Sequence, residues 1–198
     1  MFAWMEPLLT GAVFHPETEL HSVTTKLPSE MISPLTINKA LRQHLAPALR
    51  RHGFDLVKAR KAWGWHPPAI YVLEVDNVGN AFSKATGWPM HALRAAAGIW
   101  VESGTESEPG LFRDEQGRLR PDLAACQQRL QLQCTMNQSA WQTQLPDAAE
   151  RERTDIWWTE DDGSNLTEVV RNIADVFLAQ AVPWFAAHEQ MLKDLVKD

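Results

Sequence analysis

The chain has 198 residues, 44% of them hydrophobic, and a formal net charge of −6; a chain this long buries roughly 70% of its unfolded surface, so one globular domain is expected. The acidic balance argues against a nucleic-acid or anionic-membrane surface, both of which reward a basic patch. No run approaches the roughly 18 apolar residues of a membrane span, and Glu6 and Pro7 interrupt the apolar start before a leader could form, so a soluble cytoplasmic protein is expected.

Residues 1–33 read as an N-terminal arm, punctuated by Pro7, Pro16 and Pro28 and without a sustained period. Alternatively, Met5 or Met31 is the true start and the upstream residues are not needed for folding. The domain proper then spans 34–198. Its first element is a helix from Thr36 to His52: Ile37, Leu41, Leu45, Ala48 and Leu49 share a face, Thr36 can cap, and Gly53 is a stop. Pro47 should bend or divide it. His44 and His52, two turns apart, read as surface or helix-end residues rather than metal ligands.

The period then changes to two. Phe54 to Trp65 and Ile70 to Val78 form a hairpin across a Pro-containing link, with Tyr71, Leu73 and Val75 on one face and Glu74 and Asp76 on the other. Asn77 to Met90 is a loop whose Asn77 and Asn80 can bond a ligand, or an ordinary polar connection. Ala92 to Glu102 is a third strand, small-residue-rich where something bulky packs above it. Gly104 to Asp122, rich in glycine and charge, reads as a mobile loop. In Gln127 to Met136, Leu130, Leu132, Cys134 and Met136 alternate with polar residues, so one strand face is dry.

Gln138 to Thr154 reads as a polar linker. Ile156, Trp157 and Trp158 form a short extended segment before the turn Glu160-Asp161-Asp162-Gly163. Period two sends the two tryptophans to opposite sides, one into the core and one to a surface groove. A helix follows, capped by Asn165 with Glu168 as its capping-box partner, broken at Pro183 and followed by a last helix bearing Trp184, Phe185, Met191, Leu192 and Leu195. The predicted fold is α+β: one antiparallel sheet of four to five strands with helices mainly on one face.

No phosphate-binding loop, dinucleotide fingerprint, nucleophile elbow or zinc motif occurs. Glu160-Asp161-Asp162-Gly163 lacks the alternating ligands of a calcium loop, and its charges suit the following helix dipole. No metal or cofactor is expected. Cys126 and Cys134, roughly 26 Å apart if extended, cannot pair along one strand. Nine Trp against one Tyr mark either an aromatic-lined pocket or interface, or a core built from large residues.

His52-Gly-Phe54 ending the first helix, the strand leading into Asn80-Ala-Phe-Ser83, Cys126-x-x-Arg129, and Trp157-Trp158 before a helix ending Val-Pro-Trp-Phe185 together resemble the bacterial family known as domain of unknown function 4304, over about residues 34–195. That family has no established catalytic residues, so the resemblance implies none here. Two functions are expected. The first is a non-enzymatic binding protein, of the immunity type that neutralises a toxin, with a basic-surfaced protein as partner and an undetermined oligomeric state. The second is an enzyme or small-ligand binder with a pocket near Trp157-Trp158, Arg129 holding an anion and Asp161 or Asp162 as acid or base. Trp65, Asn77, Asn80 and Trp88 complete the candidate binding residues.

Overall fold

A computed structural model of the chain describes residues 32–77, 80–86, 88, 92–102, 110–137 and 139–195; the expected arm, apart from Ile32 and Ser33, lies outside the described residues. The first helix starts a turn earlier than its apolar period suggests. Ser33 rather than Thr36 is the cap, its Oγ accepting from Thr36 N at 3.1 Å, and Pro34 takes the first helical position, where its missing N–H costs nothing. The helix ends as expected at Gly53. There Gly53 N donates to Arg50 O and Phe54 N to Leu49 O, and the φ of 80° at Gly53 is the left-handed turn this C-terminal motif requires.

Pro47 does not divide this helix. Pro34–Ala40 passes through a π-helical turn, Leu41–Leu45, into Ala46–Arg51, with Ala46 N donating to Leu41 O. Widening the turn just before the proline lets the chain continue past a residue that cannot bond to the preceding turn. The C-terminal helix repeats the device. Leu166–Val176 runs through the π turn Phe177–Ala181 into Val182–Leu195, with Val182 N donating to Phe177 O just ahead of Pro183. The expected break at Pro183 is therefore corrected to a continuous helix. Leu41, Leu45, Phe177 and Ala181 within these turns are all buried.

Among the described residues the strands are β1 Leu56–Val57, β2 Lys61–His66, β3 Ala69–Asn77, β4 Leu93–Val101, β5 Leu111–Arg113, β6 Leu119–Pro121 and β7 Gln128–Gln131. Five form an antiparallel sheet in the order β1-β2-β3-β4-β7, and the two long helices cover one face of it. The fold is thus α+β, a single antiparallel sheet with helices mainly on one side. The expected strand Phe54 to Trp65 is two short strands joined by a turn. The β2–β3 hairpin turns at the cis Pro67-Pro68 bond.

On the helix face Tyr71, Leu73, Val75, Ala95, Ala97, Ile99 and Leu132 meet Ile37, Leu41, Val169, Ile173 and Phe177 in the main core. Leu130, Cys134 and Met136 pack against the same core, which bears out the dry face of that strand; only four of its residues form the ladder, and Leu132 continues it with a single bond to Ala95 O. The second sheet face is not wet. β5 and β6 form a hairpin over it, burying Trp63, Ile70, Val72, Trp100 and Cys126, so the described part of the expected mobile loop (110–122) is a lid of regular structure. Gly98 is needed beneath it, because a Cβ there would lie 2.6 Å from Cys126 Sγ. Glu74, buried by this layer, accepts from Leu123 N at 2.9 Å and pairs with Lys61 at 3.0 Å.

Candidate functional site

Three segments read as connections build a cleft beside the β4 end of the sheet. Ile156 to Trp158 runs extended along Leu93, with Trp157 and Leu93 exchanging two backbone hydrogen bonds of 2.8 Å. Ala140–Thr143 and Ala148–Arg151 are short helices, not a featureless linker, and Gln142 of the first ties it to the chain after the second. That side chain is buried, and its Nε2 donates to Arg151 O at 2.6 Å and Arg153 O at 3.3 Å. Asn165 does not cap the C-terminal helix with its side chain. Its Oδ1 accepts from Glu160 N at 2.8 Å and its Nδ2 donates to Trp158 O at 3.0 Å, which fixes the acidic turn instead.

The resulting cleft has a volume of about 330 Å³, within the range of ligand pockets. Ile156, Trp158, Cys134 and Met136 supply its apolar lining, and Glu152, Glu160 and Glu168 its carboxylates. The two lining arginines are engaged. Arg153 forks onto Asp155 at 2.8 and 2.7 Å, lies 3.6 Å from Glu150 and sits 5.1 Å over the Trp88 ring; Arg151 donates to the Leu145 and Pro146 carbonyls. Hydrogen bonds from Arg153 hold the Asp155 carboxyl below its ordinary value, and the same bonds raise Arg153. Burial raises the Cys134 thiol, so this cysteine stays protonated and unreactive.

Trp157 and Trp158 do point to opposite sides, but neither reaches open solvent. Trp157 is 0% exposed in the main core, with Nε1 donating to Asn172 Oδ1 at 2.8 Å. Trp158, 4% exposed, packs edge-on against Trp88 at 4.9 Å in a second cluster with Ala92, Leu145 and Ile156, and lines the cleft from within. The expected surface-groove tryptophan is thus a buried wall, because residues 140–156 close over it.

The other candidates are not gathered here. Arg129 belongs to β7 and donates to Cys126 O at 3.3 Å and Ala124 O at 2.6 Å, away from the cleft lining. Asp161 and Asp162 are exposed on the turn beyond Glu160, with Asp162 Oδ1 accepting from Ser164 N. Asn77 accepts from Arg60, which also reaches Asn38 at 2.9 Å. Asn80 opens the helix Asn80–Thr86 within the expected loop, and its side chain lies outside the described residues. Trp65 lies on the hairpin-covered face, its Nε1 donating to Leu119 O at 2.8 Å. Sequence reasoning passed over Arg151, Arg153 and Glu152, and gave Glu160 and Glu168 only helix-terminal roles, although their density of charge was visible.

Among the described residues no three His, Cys, Asp or Glu side chains converge as metal ligands would, and no helix is long and apolar enough to cross a membrane. Comparison of the chain with protein-family models, curated proteins and solved structures finds no match.

Proposed function

We propose that this chain is a non-catalytic binding protein whose acidic cleft face receives a basic protein partner, in the manner of an immunity-type protein that neutralises a toxin. One observation carries this. Between Asp147 and Glu168 stand eight acidic residues against two arginines, so this stretch holds the whole formal excess of −6. The same stretch builds the cleft wall. A concentrated field of one sign steers an oppositely charged partner and selects against like-charged ones, and the half-buried Cys134 and Met136 beside it supply apolar contact area.

Immunity proteins are encoded beside their toxins, so the product of the adjacent gene is the first partner to test. Affinity capture with the full chain at low salt is expected to retain a basic protein that elutes as ionic strength rises. A captured partner that is acidic, or that stays bound equally in molar salt, would overturn the proposal.

A further inference from the structure

On the opposite sheet face the strand register places Trp65, Ile70 and Trp100 in one row across β2, β3 and β4. Beside this row, between the hairpin and the Pro67-Pro68 turn, lies a second cavity of about 210 Å³. Its apolar lining includes both indoles, Pro68 and Ile70, and its charged lining comprises Arg113, Arg118 and Glu102.

The three indoles of this face are treated unequally. Trp63 Nε1 donates to Pro121 O at 2.9 Å and Trp65 Nε1 to Leu119 O at 2.8 Å, so β6 satisfies both. Trp100 is only 2% exposed, yet its Nε1 has no acceptor among the described residues. A buried donor left unmade is costly, and native structures usually explain each one. Next to it the Arg118 guanidinium lies 3.8 Å over the Trp65 ring, held by a 2.9 Å bond from its Nε to Asp114, and Arg113 reaches Gly117 O at 2.6 Å. The lining thus holds two guanidiniums, one of them paired with Asp114, and the Glu102 carboxylate beside the aromatic walls.

We propose that this cavity binds a small single-ring carboxylate. The ring would lie along the indole row, and the carboxylate would take charge-assisted bonds from the guanidiniums. The aromatic lining favours a ring-bearing anion over a strongly hydrated phosphate. A volume of about 210 Å³ has room for one ring and its carboxylate.

Calorimetric titration of the full chain with sodium benzoate tests this, with benzyl alcohol as the neutral analogue. Saturable binding of benzoate is expected, at least about tenfold tighter than that of benzyl alcohol, a difference of about 1.4 kcal/mol. Arg118→Gln, on an exposed side chain whose loss does not threaten folding, should weaken benzoate about tenfold. No saturable benzoate binding, equal binding of the alcohol, or unchanged affinity in Arg118→Gln would each overturn the proposal. None of these outcomes bears on the acidic cleft, which lies elsewhere.

Discussion

Trp157 and Trp158 are adjacent, equally large and almost equally buried, yet replacing each by Phe should have different consequences. Trp157→Phe removes a 2.8 Å hydrogen bond to Asn172 Oδ1. That oxygen is not orphaned, because Thr135 N at 3.4 Å and Cys134 Sγ at 3.7 Å also point to it, so the loss is that of one ordinary bond, about 1 kcal/mol. Trp158→Phe removes an N–H that has no acceptor among the described residues, relieving a penalty of about 1–3 kcal/mol. Both leave similar voids, so the cavity cost largely cancels between them. Trp157→Phe should therefore be less stable than Trp158→Phe by about 2 kcal/mol or more. Urea midpoints at unchanged slope measure this directly. Equal midpoints, or a lower one for Trp158→Phe, would refute the assignment of hydrogen bonds in this unit.

Leu132 is 0% exposed between β4 and the C-terminal helix, so Leu132→Ala should cost about 2–5 kcal/mol by denaturant unfolding. Gly98→Ala places a methyl 2.6 Å from Cys126 Sγ and 2.8 Å from Leu123 Cδ1; thermal unfolding should show a loss of about 1–3 kcal/mol, partly recovered by adding Cys126→Ala. Asp155, with its carboxyl held down by Arg153, binds its proton more weakly folded than unfolded. Its contribution is therefore complete above the ordinary value of 3.8 and is lost as pH falls below it. The stability gap between wild type and Asp155→Asn, measured at pH 7 and again near pH 3, should narrow at the lower pH.

The sheet and the helix faces were legible because their periods are long enough to see. Tyr71, Leu73 and Val75 alternate over a nine-residue strand, and Ile173 and Phe177 repeat down a helix. The β5–β6 hairpin was not legible, since its strands are three residues each and too short to show alternation among their arginines. Its one signal was the Asp114-to-Gly117 turn, where Asp114 accepts from the Gln116 and Arg118 amides. The continuity of both long helices was hidden for another reason. A proline is ordinarily a break, and only the backbone shows that a π turn precedes Pro47 and Pro183 alike. At the cleft, the Trp157–Trp158 alternation correctly separated two sides. What it left out was the cover, because Gln142 acquires its partners, the Arg151 and Arg153 carbonyls, only through a chain reversal that no local pattern records.

The measurement closest to the central claim is the association rate of the captured partner with charge-reversal variants at two ionic strengths. Glu152→Lys and Glu168→Lys alter the cleft lining, whereas Asp76→Lys alters an exposed residue at the end of β3 that does not line it. The account predicts that the two cleft variants associate at least about tenfold more slowly at low salt, that Asp76→Lys matches wild type, and that the differences shrink as salt is raised. Equal slowing by all three variants, or none by the cleft pair, would contradict it.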